Sequence, residues 1–372
     1  MNLAIEPVNL SFGMKQENDL IAELARVDRS TSTMPVGSVR EVEMQADGTI
    51  GQSGLKPTTW CFYQLCSLVC PGLYSVLVEM TANGDELSRL AAISVYNQLL
   101  RLRFTQVVHS KVFLCDRDQK TVEALVSQEY HFMPNMRLCN RVQEFLANAD
   151  GEIRFYGSDL RGRWLVLRYY AVQPLFQTEW DGFNYHAGWH FSNHEGGRAA
   201  VRLTNSIVRG KGLLSMLLPL DRSRYTMHRG KNIERKIDLI LGNVAAHTWR
   251  VDQLQERLQN AATLKLGLGN MDAKVEEARK LHLEQRLRDI GRILTKPLAS
   301  KIVAGTIVQP YNENKARPMI GVHRHDMASR TLLDLAASAS RESRGRDIAM
   351  QELLEQLAYR LVFGKAGAKF RD

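Results

Sequence analysis

The sequence predicts an α+β fold in which a mixed or antiparallel sheet core with flanking helices is followed by a mainly helical C-terminal half. Three observations carry this. Between residues 104 and 208 short β-rich runs follow one another, and beyond residue 228 the apolar positions recur at helical spacing. No repeat period or low-complexity tract suggests a solenoid, propeller or collagen-like array. With 44% hydrophobic and 24% charged residues the 372-residue chain has the composition of a folded protein. Its length favours more than one structural unit, because single cores stop growing near ~250–300 residues. The expected division is a weakly structured leader over residues 1–50, an α+β core over 51–226 and a helical region over 227–372.

In the leader, the polar run Asp28 to Thr33 precedes Pro35 and Gly37, and Val39, Val42 and Met44 suggest one short strand. The first helix opens at Pro57-Thr58-Thr59, where a threonine can cap, and stops at Pro71-Gly72, with an apolar face of Trp60, Leu65, Leu68 and Val69. A second, from Asp85 to Arg103, groups Leu87, Leu90, Ala91, Leu99 and Leu102 on its buried side. Strands follow at 107–108, 112–114, 124–126, 153–155, 164–172, 183–191 and 199–208, interrupted by a helix from Arg137 to Ala149. In the run from Phe183 to Phe191, aromatic and small apolar residues alternate with polar ones, the pattern of a half-buried strand. The seam Ile233, Ile237, Leu241, Val244, Leu254 and Leu258 then predicts one continuous helix of roughly 30 residues, ended by Gly267 and Gly269. Further helices are expected from Asp272 to Leu294, after Pro297, and over 326–341 and 346–363.

The acids Glu6, Glu17, Asp19 and Glu23 in the first 30 residues exclude a signal peptide or anchor there. No stretch approaches the ~18 apolar residues of a membrane span, so no membrane partner and a cytoplasmic setting are expected. Cys61, Cys66, Cys70, Cys115 and Cys139 form no C-x-x-C pair, which suits reduced thiols packed as small apolar groups rather than a nucleophile or a zinc site.

Charge is the most uneven property of the chain. From Arg198 to Lys236, ten Arg and Lys stand against two acids, so these 39 residues hold +8 of the formal +9. A cationic segment in an otherwise neutral chain points to a polyanion. Its candidate phosphate contacts are Arg198, Arg202, Arg209, Lys211, Arg222, Arg224, Arg229 and Lys231, with Tyr225 and an exposed Trp189 as stacking partners for bases. Five such contacts would give a log–log salt slope near ~−3.5 on single strands. Acids elsewhere in the fold could also neutralise the segment.

His186, His190 and His194 recur every four residues, but on a strand His186 and His190 lie about 13 Å apart, too far for one metal without ligands from elsewhere, such as His109 or His131. No metal and no cofactor is expected. His194-Glu195-Gly196-Gly197 reads either as a hairpin turn or as a loop in which His194 and Glu195 share acid/base work. Gly210-Lys211-Gly212 lacks the remainder of a phosphate-binding loop.

One constellation runs along the chain: Lys56-Pro57-Thr58-Thr59-Trp60, Ser127-Gln128-Glu129-Tyr130, Pro134-Asn135, Asn193-His194-Glu195-Gly196, His228-Arg229 with Asn232, and Thr331-Leu332-Leu333-Asp334-Leu335. In this order the motifs resemble the phage- and plasmid-associated family labelled domain of unknown function 932, from about Pro35 to Gly364. The family tends to have Ser-His-Asp-Gly at the fourth motif and Cys-x-Asn after an Arg-Val, where this chain has Arg209 followed by Gly210-Lys211-Gly212, so a role tied to that Cys or Asn does not carry over. The resemblance implies a mobile element inside a bacterial cell and supplies no reaction. The expected function is non-enzymatic nucleic-acid binding, with single-stranded DNA favoured, in annealing or recombination and with a homo-oligomer as one possible form. The alternatives are a metal-dependent nuclease or hydrolase using His194 and Glu195, and a structural or host-interaction protein assembling through its long helices.

Overall fold

The computed structural model describes residues 9–13, 17–51, 53–107, 111–149, 151–180, 183–209, 216–220, 224–226, 232–245, 249–268, 272–291, 294–306, 331–343, 346 and 348–364. In chain order the elements are β1 (Asn9–Gly13), α1 (Glu17–Ser30), β2 (Thr31–Val36), β3 (Lys56–Pro57), α2 (Thr59–Val69), α3 (Leu73–Met80), α4 (Glu86–Val107), β4 (Lys111–Asp116), β5 (Thr121–Ser127), α5 (Asn135–Ala147) and β6 (Ile153–Arg161). They continue with β7 (Trp164–Gln177), β8 (Asn184–His194), β9 (Val201–Arg209), β10 (Met216–Pro219), β11 (Arg224–Thr226), α6 (Ile233–Ala245), α7 (Val251–Thr263), α8 (Ala273–Ile290), α9 (Lys296–Thr306), α10 (Leu332–Glu342) and α11 (Ile348–Phe363).

Two sheets organise these elements, and the fold is α+β. The larger runs β1-β6-β7-β8-β9-β10 with β11 also on β9, and its pairs are antiparallel. The smaller is mixed, β2-β4-β5-β3, with β3 parallel to β5. Each has its own apolar core. Phe62, Leu65, Leu77, Ile93, Tyr96 and Leu100 pack α2, α3 and α4 on Phe113 and Val122 of the small sheet. Leu20, Leu24, Leu138, Val142, Ile233 and Ile237 bring α1, α5 and α6 onto Leu165, Leu167, Phe191 and Leu203 of the large one. A third core gathers α7 to α11 around Tyr185, Ile207, Met216 and Leu218.

The expected weakly structured leader instead contains α1 and β2. Leu20, Leu24 and Val27 follow helical spacing and are buried, and β2 pairs antiparallel with β4. Val39 to Glu41 form a short 3-10 turn rather than a strand. Thr58 does cap α2, accepting the Cys61 N–H at 3.3 Å. The 30-residue helix is broken, because α6 ends at Ala245 and α7 starts at Val251, with Trp249 and Arg250 outside either helix. Strand β8 is half-buried only at its start, where Asn184 is exposed and His186 partly so against buried Tyr185 and Ala187. His190, Ser192 and His194 on its polar face are each 6% exposed or less, because α11 closes over that face and the α2 region meets its end. Four of the eight candidate phosphate contacts, Lys211, Arg222, Arg229 and Lys231, lie outside the described residues, as do Gly210-Lys211-Gly212 and His109. Among the described residues, no helix is long and apolar enough to cross a membrane.

Candidate nucleic-acid interface

Motifs that are far apart in sequence meet at one place, where the end of β8 reaches the small sheet. Trp60 on α2 donates its Nε1–H to the Gly196 carbonyl at 3.0 Å. Tyr130 donates its hydroxyl to the Glu195 carbonyl at 2.5 Å, and the Asn135 N–H, at the start of α5, reaches Glu195 Oε1 at 2.5 Å. Asn193 donates to Asn135 Oδ1 at 2.8 Å. A carboxylate at the first residue of a helix is also favoured by the helix dipole.

The centre of the junction is Arg163, which with Gly162 (φ +55°) makes the β6–β7 turn. Its guanidinium, 3% exposed, reaches Glu195 at 2.9 Å, Asp116 at 3.2 Å, Glu123 at 4.0 Å and the Thr31 hydroxyl at 2.5 Å. β2, β4 and β5 of one sheet are thus clamped to β8 of the other. Burial pushes the Glu195 and Glu123 carboxyls up from their ordinary values, against the pull of Arg163.

This geometry splits the expected His194–Glu195 acid/base pair. Glu195 is 1% exposed and turned inward to Arg163 and α5. The His194 Nδ1 accepts the Gly196 N–H at 3.0 Å, and the ring lies edge-on to Trp60 and Trp164, with centroids 6.0 and 5.6 Å away. Both glycines serve this turn. Gly197 sits at φ +72°, where a Cβ would come within 3.1 Å of the Tyr130 ring, and a Cβ on Gly196 would come within 2.9 Å of Ala124.

Nor do the other histidines converge. His186 Nδ1 donates to the Ala171 carbonyl at 2.9 Å, and His190 faces Glu355. Among the described residues no group of three or more His, Cys, Asp or Glu is placed to hold a metal ion. The cysteines Cys61, Cys66, Cys115 and Cys139 are buried, and burial pushes Cys115 up to about 11 and Cys66 and Cys139 up to about 12, which leaves them as packed thiols.

Beside the junction opens a cleft of about 500 Å³. One wall is the small-sheet unit, with Gln64 and Leu68 of α2, Lys111 of β4 and the end of β5. The other is the β8–β9 connection with Arg198, and Arg202 of β9. Among the described residues, Lys111, Arg198 and Arg202 are its charged lining residues and no acid lines it. Arg198 is exposed, its guanidinium 5.5 Å from the Trp60 ring and 5.3 Å from the Trp164 ring, the spacing of cation–π contacts. Trp60 in turn stacks on Tyr63 with ring centroids 5.5 Å apart and planes 16° from parallel, and Tyr63 is 46% exposed. A cationic groove thus ends against an aromatic cluster that reaches solvent.

Of the candidate phosphate contacts, Arg198 and Arg202 come together here. Arg209 does not, because it is 6% exposed with its guanidinium 4.9 Å from the Phe183 ring, sunk into the packing of the large sheet. Arg224 and Tyr225 lie on β11 opposite Leu203 and Arg202, and their side chains are outside the described set. Trp189 is only partly buried and packs with the α1–α5 core. Sequence reasoning missed Lys111, Tyr63 and the contact of Trp60 with Arg198. The spacing of Trp60, Gln64 and Leu68, four residues apart on α2, is the one signal that could have found this wall.

Searches against protein-family models, curated proteins and solved structures each return no match.

Proposed function

We propose that this chain binds nucleic acid, single-stranded DNA by preference, in the cleft between its two sheets, as a binding rather than a catalytic protein. The observation that carries the reading is the lining, three cations and no acid among the described residues, with Arg198 reaching from it to Trp60, which stacks on the exposed Tyr63. Phosphates fit the cations. An unpaired base fits the exposed Tyr63, where stacking is worth roughly 1–3 kcal/mol per base and is closed to bases already stacked inside a duplex. A bacterial mobile element as the setting rests on the order of the sequence motifs alone.

The test is a salt titration of binding to single-stranded DNA, duplex DNA and RNA, with products checked for cleavage. Three phosphate contacts predict a log–log slope of about −2 on single-stranded DNA, tighter binding to it than to duplex of the same length, and intact products. Binding that is absent, or indifferent to salt, removes the proposal.

A further inference from the structure

A second, smaller cleft of about 180 Å³ opens next to the first, between the large sheet and α11, and Arg202 lines both. Glu352, Gln356 and Arg360, four residues apart and hence on one face of α11, line it together with Tyr359. Its floor is His190 with Glu355, whose carboxylate is already engaged by Arg168 at 3.1 Å. That leaves Glu352 as the acid that bears on Arg202. The two meet at 3.1 Å, with 38% of the Arg202 and 19% of the Glu352 side chain exposed.

We propose that the strand path continues from the first cleft across Arg202 into the second, and that Glu352 holds Arg202 as an internal stand-in for a phosphate. This rests on the reading of the first cleft. A carboxylate oxygen 3.1 Å from a guanidinium nitrogen occupies the place of a phosphate oxygen. The Arg202 side chain is partly open to solvent, so an incoming phosphate can reach it and displace the carboxylate. Arg360 is exposed at the far side, and Tyr359 offers a ring beside it. The long, Arg168-neutralised carboxylate of Glu355 lies at the floor and does not repel the strand as a free acid would.

The experiment is anisotropy of end-labelled oligothymidylates of increasing length, on the full chain, with circular dichroism to confirm that each variant is folded. Arg360→Gln should leave the shortest bound oligonucleotide within about twofold of wild type and weaken longer ones by roughly 3- to 10-fold. Glu352→Gln should tighten binding by roughly 2- to 5-fold with the salt slope unchanged, because Arg202 already meets a phosphate in the wild-type complex and only its competitor is removed. In an Arg202→Gln background, Glu352→Gln should change nothing. If wild type binds with a salt slope, Arg198→Gln weakens it, and yet Arg360→Gln and Glu352→Gln are neutral at every length, the path ends in the first cleft and this inference falls. If wild type does not bind, or Arg198→Gln and Lys111→Gln are neutral, the first-cleft reading itself falls.

Discussion

Arg163 has one positive charge and three carboxylates around it, so Glu123, the most distant at 4.0 Å, is the least compensated. Burial raises its folded value above the ordinary 4.5, with Arg163 and the Thr121 hydroxyl pulling the other way. A raised carboxyl favours the fold fully below about 4.5, and that contribution is lost as pH rises through the folded value. Glu123→Gln keeps the acceptor for Thr121 and removes the charge. Its melting temperature relative to wild type should therefore be smallest near pH 4.5 and climb as pH rises above it, as thermal melts across pH would read. A variant whose relative stability falls as pH rises would mean that Arg163 holds Glu123 ionised after all. Little of this was legible, since Thr31, Asp116, Glu123, Arg163 and Glu195 sit in five separate segments and each reads alone as an ordinary polar residue. The His-Glu-Gly-Gly turn was legible as a turn because its paired glycines, Gly197 at φ +72°, have a local signature; which way His194 and Glu195 face depends on partners that sequence spacing does not encode.

Helix α11 shows the opposite pH sign. Burial pushes the Glu355 carboxyl up, but Arg168 and then His190 outweigh it and hold it below its ordinary value. Its contribution is present above about 4.5 and fades as pH falls through the folded value. Arg168 is itself held by Asp159 at 2.7 Å and by Gln351 at 3.1 Å, so α11 is tied to the large sheet by a buried polar cluster. Glu355→Gln should cost about 3–5 kcal/mol at pH 7, the range for breaking a buried ion pair. Urea melts should show that deficit shrinking as pH drops below 4.5. An unchanged midpoint at pH 7 would show that α11 is held by its apolar face alone. Elements themselves were readable, and the main strands and most helices fall where periodicity places them. Faces were less so. On α4 the buried set is Ala92, Ile93, Tyr96 and Leu100, while Leu87 and Leu102 are 80% and 79% exposed. Choosing a face by its leucines failed because Tyr96 turns the helix, its hydroxyl bonding the Val42 carbonyl at 3.2 Å.

At the scale of the molecule, the described cations of the +8 segment do not share one surface. Arg198 and Arg202 reach the cleft, Arg209 is buried, and the cleft's third cation, Lys111, comes from outside the segment. Binding should then follow where charge sits rather than how much there is, and two triple variants separate these. Lys111, Arg198 and Arg202 changed to Gln lower the formal charge from +9 to +6, as do Arg257, Lys274 and Lys301, which are exposed on α7, α8 and α9. Long-range attraction of a polyanion responds to both triples alike, screened beyond about 8 Å at physiological salt. Contact with phosphate responds only to the first. The cleft triple should weaken single-strand binding at least 100-fold and flatten the salt slope by about 2, three lost contacts at about 0.7 each, while the helix triple should stay within about threefold of wild type with its slope intact. Equal losses in the two would mean that the chain is held by its overall charge, and the clefts would then have no claim to the strand.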